Sequence, residues 1–93
     1  MEQSDERQSI QSIVNRLQRI EGQVRGLQKM VTEGRDGVEI LMQVSAVLSA
    51  TRRVAGAIAS YQIAECLAQA GEDADPDDMA RLQAVVEAFS RLD

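Results

Sequence analysis

From residue 10 to residue 31 the apolar residues Ile10, Ile13, Leu17, Ile20, Val24, Leu27 and Val31 recur in alternating steps of three and four. That spacing puts all of them on one stripe of an α-helix and on no face of a strand. Sustained over three heptads, it is the seam of a coiled coil or helical bundle, so a second helix must lie against it. The seam predicts a first helix over about 7–33. Gly34 follows it and can take the left-handed conformation that ends a helix.

Asp36 and Glu39 have the spacing of a capping box, which starts a second helix near Gly37. Two apolar stripes then run side by side, Leu41, Val44, Leu48, Thr51, Ala55 and Ile58 in one and Ile40, Val47, Val54 and Tyr61 in the other, persisting to Leu67 before Gly71. A helix over about 37–70 is roughly 50 Å long, and the first helix is too short to cover both stripes along it. Either a second copy covers the rest, or the helix kinks at Gly56 and folds back; an isolated glycine is commonly tolerated in mid-helix, which favours the long form.

After an acidic linker at 71–75, Asp75-Pro76 reads as a helix start with Asp77 and Asp78 in the first turn. Met79, Leu82, Val86 and Phe89 give this third helix, about 76–91, an apolar stripe. The chain is therefore expected to be all-α, a single three-helix domain over 1–93. Ninety-three residues suit one core, and a core that small invites oligomerisation.

Composition removes several function classes. Histidine is absent and Cys66 is the single cysteine, so Ser-His and Cys-His catalysis, an internal disulfide and a thiolate cage within one chain are all excluded. There is no HExxH helix, phosphate-cradling glycine loop or carboxylate pair with a credible pocket, and no enzyme is expected. No apolar run is long enough to span a bilayer and the first residues are polar and acidic, so a cytoplasmic location is expected.

The net charge of -5 hides a partition. Residues 1–6 carry -3, residues 7–53 carry +4 and residues 54–93 carry -6. In the basic half, Arg16, Arg19 and Gln23 share a flank of helix 1 at 100° per residue, and Arg52 and Arg53 stand midway along helix 2. With Arg25 they are candidate phosphate contacts, or else ordinary solvated charges on a bundle, since no helix-turn-helix or zinc-finger pattern accompanies them. Near the end of helix 2, Gln62, Glu65 and Cys66 lie adjacent or one turn apart. They read either as ligands to a site shared between subunits or as a half-apolar face with a small buried thiol.

The stretch Arg16-Leu17-Gln18-Arg19-Ile20-Glu21-Gly22-Gln23-Val24-Arg25-Gly26 resembles the RLxRIEGQVRG signature of the copper-sensing repressor (CsoR/RcnR/FrmR-like) family. Ile40-Leu41-Met42-Gln43-Val44-Ser45-Ala46-Val47 resembles its second stretch, and the spacing between the two agrees without a gap. The resemblance spans about 10–70. It implies an antiparallel four-helix dimer, a disc-like dimer of dimers, and repression by binding operator DNA across a basic face on which Arg16 and Arg53 fall.

The family's metal sensors set a Cys at the start of helix 2 of one subunit against a His and a Cys near the end of helix 2 of another. Here those positions are Gly37, Gln62 and Cys66. One thiolate without imidazole is too few soft donors for tight Cu(I) binding, so no cofactor is expected. Formaldehyde-sensing and two-cysteine sulfur-sensing relatives also need thiols that this chain lacks. The resemblance therefore implies a repressor with a degenerate effector site. The rival readings are a helical oligomer that no longer binds DNA and instead partners a related regulator, and, more remotely, a metal buffer using Cys66 and carboxylates.

Overall fold

The computed structural model describes residues 2–92, with side chains from Arg7 to Leu92. The acidic segment 1–6 thus lies outside the described side chains. Three helices follow in order, α1 Glu2–Thr32, α2 Gly37–Ala70 and α3 Pro76–Ser90, with no strand among the described residues. α1 begins at Glu2 rather than near residue 7, because residues 2–9 hold neither glycine nor proline to stop it. An apolar seam marks a helix's covered stretch, not its first residue. α2 runs unbroken through Gly56.

Helix ends follow local chemistry. Gly34 adopts φ +69°, and around it the Arg35 amide donates to the Met30 carbonyl at 2.9 Å and the Gly34 amide to the Val31 carbonyl at 3.1 Å. These are the paired bonds of a Schellman motif, satisfying carbonyls that the helix leaves open. Gly71, at φ +61°, closes α2 with its amide on the Leu67 carbonyl.

The expected role of Glu39 at the start of α2 is a correction. Its carboxylate meets the Arg35 guanidinium at 2.9 Å instead of reaching back to the helix start, while the Asp36 carbonyl accepts from the Ile40 amide. A full capping box occurs at α3, where the Asp78 amide donates to Asp75 Oδ1 at 2.9 Å and the Asp75 amide to Asp78 Oδ2 at 3.1 Å. Pro76 fixes φ in the first turn without sacrificing a needed donor.

By internal contacts the chain divides into two units, Met1–Val54 and Ala55–Asp93. In the first, Ile40 and Val47 are half-buried and Val54 is 3% exposed, whereas Leu41 and Leu48 of the neighbouring stripe are 68% and 56% exposed. In the second, Tyr61, Ile63, Cys66, Leu82 and Val85 are half-buried, and Leu67, Val86 and Phe89 stay exposed. Thr51 sits in the first stripe because its hydroxyl donates to the Val47 carbonyl at 2.7 Å, so the stripe carries no unsatisfied donor there.

Gly22 and Gly26 interrupt the middle of α1, and a Cβ built on either meets no heavy atom within 4 Å. Each costs about 0.5–1 kcal/mol against alanine in a helix interior, with no compensating contact within the chain.

Gly34 is different, because an added Cβ has open space but the backbone is left-handed. Gly34→Ala is expected to lose roughly 1–2 kcal/mol in urea unfolding from conformational strain alone. An unchanged midpoint would mean that the turn does not need φ above zero.

Candidate functional site

The connection between Thr32 and Gly37 turns the chain so that α1 and the first part of α2 flank an open groove of about 580 Å³. Its lining comprises Arg16, Arg19, Ile20 and Gln23 from α1 and Ala46, Ser49, Ala50 and Arg53 from α2. The α1 residues arrive at intervals of three and four, and Ser49 and Arg53 stand one turn apart, so each helix presents one flank. Small residues on the α2 side keep the floor open.

No carboxylate lines this groove. Arg16, Arg19 and Arg53 are exposed, and none of them enters an ion pair among the described residues. Three guanidiniums without an internal counter-ion offer planar, doubly donating forks suited to phosphate oxygens.

Arg25 and Arg52 do not join them. Arg25 lies on the other flank of the α1 seam with Glu21 3.9 Å away, and Arg52 is turned about 100° from Arg53 around α2. Gly37 is the first residue of α2, and Gln62, Glu65 and Cys66 lie half-buried toward its other end. Among the described residues no three His, Cys, Asp or Glu side chains gather to hold a metal ion. The donor set at the three positions that resemble the family's sensor site is one thiol, one neutral amide and a glycine, which does not fit a tightly held soft metal.

Two features went unread in the sequence. Gln62 opens into a mostly apolar groove of about 570 Å³ within the second unit, beside Arg81, Ile58, Val85, Phe89 and Leu92. Nothing in the spacing of Arg81 along α3 points at Gln62 on α2. On α1, Gln8, Gln11, Ser12 and Asn15 line a surface that shares Arg16 and Arg19 with the basic groove. A signal for it was present, because residues 7–20 contain no Asp or Glu.

Among the described residues no helix is long and apolar enough to cross a membrane. Residues 9–91 match the model of the metal-sensitive transcriptional repressor family. The chain is 36% identical over 77 residues to the copper-sensing transcriptional repressor RicR of Mycobacterium tuberculosis, covering 83% of this chain and 80% of that one. It is 41% identical over 80 residues to the copper-sensing transcriptional repressor CsoR of Bacillus subtilis, covering 85% and 79%. Its fold is similar to that of the nickel-responsive transcriptional regulator InrS, with TM-score 0.77 and 40% identity over 85% of this chain and 90% of that one. These are regulators rather than enzymes. On sequence and on fold alike, the chain belongs to the family of metal-sensitive transcriptional repressors.

Proposed function

We propose that this chain is a DNA-binding transcriptional repressor that acts in the cytoplasm as a homo-oligomer and carries a degenerate effector site. The observation that carries the reading is the convergence of Arg16, Arg19 and Arg53 on a groove without carboxylates, in a chain whose basic residues are concentrated before residue 54. Binding to phosphates follows from that charge location despite the overall net charge of -5. The relatives' description as transcriptional repressors supports the same reading.

Oligomerisation is supported by exposed area. A compact monomer of 10.2 kDa leaves about 5300 Å² accessible, whereas this chain exposes 7294 Å². The excess is larger than the roughly 800 Å² per partner that a stable interface buries. Leu41 and Leu48 supply the apolar stripe, and an antiparallel four-helix dimer, paired again into a tetramer, is the arrangement we favour. Light scattering at micromolar concentration should report a dimer or tetramer. A fully helical monomer would contradict the assembly.

DNA retention should fall as salt rises, because neutralised phosphates release counterions. Arg16→Ala and Arg53→Ala are each expected to weaken binding and lower the salt slope by about one, with the oligomer intact. Arg25→Ala should do less, given its place outside the groove. A wild-type protein that retains no DNA at low salt would instead favour the reading as an interaction partner of a related regulator.

The effector site is proposed to be degenerate toward Cu(I), since only Cys66 of the three sensor positions offers a thiolate and Gln62 opens on an apolar groove. One thiolate per subunit takes up Cu(I) from buffer, so stoichiometric uptake alone decides nothing. Against a strong chelator the metal should be lost, and operator DNA should stay bound. Tight Cu(I) retention with DNA release, both abolished by Cys66→Ala, would overturn this assignment.

A further inference from the structure

We infer that the outer arc of α1, carrying Gln8, Gln11 and Asn15, reads base edges while the arginine groove beside it holds phosphates. The inference rests on the DNA-binding reading above and assigns to a second set of residues the part that phosphate contacts cannot play, since phosphates carry no sequence information.

Four observations support it. Gln8, Gln11, Ser12 and Asn15 are exposed and form one surface with Arg16 and Arg19, so anything docked on the arginines meets the amides. No acidic residue falls between Arg7 and Ile20 to repel a polyanion. Gln11 Nε2 donates to Asn15 Oδ1 at 2.9 Å, which orders both side chains and leaves Gln11 Oε1 as acceptor beside the Asn15 amide group as donor. An adjacent acceptor and donor match the N6 amino group and N7 of adenine in the major groove, the pairing that Asn and Gln ordinarily make.

The fourth observation is the placement of glycine. At 100° per residue Gln11, Gly22, Asn15, Gln8, Gly26 and Arg19 fall within an arc of about 80°. Both mid-helix glycines have open space where a Cβ would stand. Bare backbone on the arc that bears the amides lets a nucleic acid approach the helix closely.

The test compares short duplexes tiling the DNA upstream of the protein's own gene with a scrambled duplex of equal composition, at several salt concentrations. The double variant Gln11→Ala, Asn15→Ala suits α1, because alanine favours helix; circular dichroism and light scattering confirm the oligomer. It is expected to lower the ratio of upstream to scrambled affinity by about tenfold while leaving the salt slope unchanged, and to lose discrimination at particular A·T pairs. An unchanged ratio, or equal loss on both duplexes with a reduced slope, overturns the inference. So does a wild-type protein that binds both duplexes equally. Wild type that binds neither at low salt defeats the DNA-binding reading itself. Gly26→Ala should raise the unfolding midpoint and weaken upstream binding. A gain in stability with unchanged binding overturns the placement of this arc against DNA.

Discussion

Two apolar stripes run along the first part of α2, and one chain covers one of them more fully than the other, in which Val44 is half-buried. Ile40, Val47 and Val54 lie inward, while Leu41 and Leu48 stay mostly exposed. Burial of apolar area is the dominant favourable term in folding, at about 25 cal/mol per Å², so a chain with one buried hydrophobic residue among those described has most of that term still to collect. Capping bonds and exposed i,i+4 ion pairs such as Lys29–Glu33 add only small increments. On the proposed reading, assembly supplies the missing burial, with a partner covering the apolar side chains that α2 leaves exposed.

The same helix periodicity organises the surface. Residues turned away from the seam of α1 are free of packing demands, and between Arg7 and Ile20 they include arginines and amides but no carboxylate. Where a carboxylate does occur it takes up a basic neighbour, as Glu21 does Arg25 and Glu39 does Arg35. Keeping acids out of the groove leaves Arg16, Arg19 and Arg53 without ion-pair partners among the described residues, and the proposed phosphate contacts rest on that vacancy of negative charge. Acidic residues after residue 54 then keep the net charge negative without entering the groove.

Much of this was legible in the sequence because helix ends are local events. Gly34, Gly71 and Pro76 fix where α1 and α2 stop and α3 starts, through φ values and missing donors that depend on no distant residue. The start of α1 was not legible, since no breaker precedes the seam. The misread role of Glu39 arose from competition: Arg35, one turn away, offers a charged donor that outbids a backbone amide. Arg53's convergence with Arg16 depends on how α1 meets α2, which spacing within one helix does not encode. The separation of Arg25 from that groove was readable, because the angular arithmetic that groups Arg16 with Gln23 puts Arg25 on the opposite flank. That Arg81 and Gln62 line one groove depends on how α3 meets the end of α2, which had no sequence signal.

Regulation on the proposed reading is constrained by differential affinity. A ligand shifts a two-state equilibrium only by the ratio of its affinities for the two states, and driving a repressor from almost wholly bound to almost wholly released takes a ratio of about 10⁴. A metal held by several soft ligands from two subunits can reach that ratio, because moving either subunit breaks strong bonds. A single Cys66 cannot, since a metal on one thiolate moves with its own helix and distinguishes no arrangement of subunits. With a neutral amide at Gln62 and a glycine at position 37, no bond between chains at those positions would depend on a metal's presence. Either repression is then governed by the amount of protein, or release is driven by a ligand whose contacts span more of the molecule than the three sensor positions.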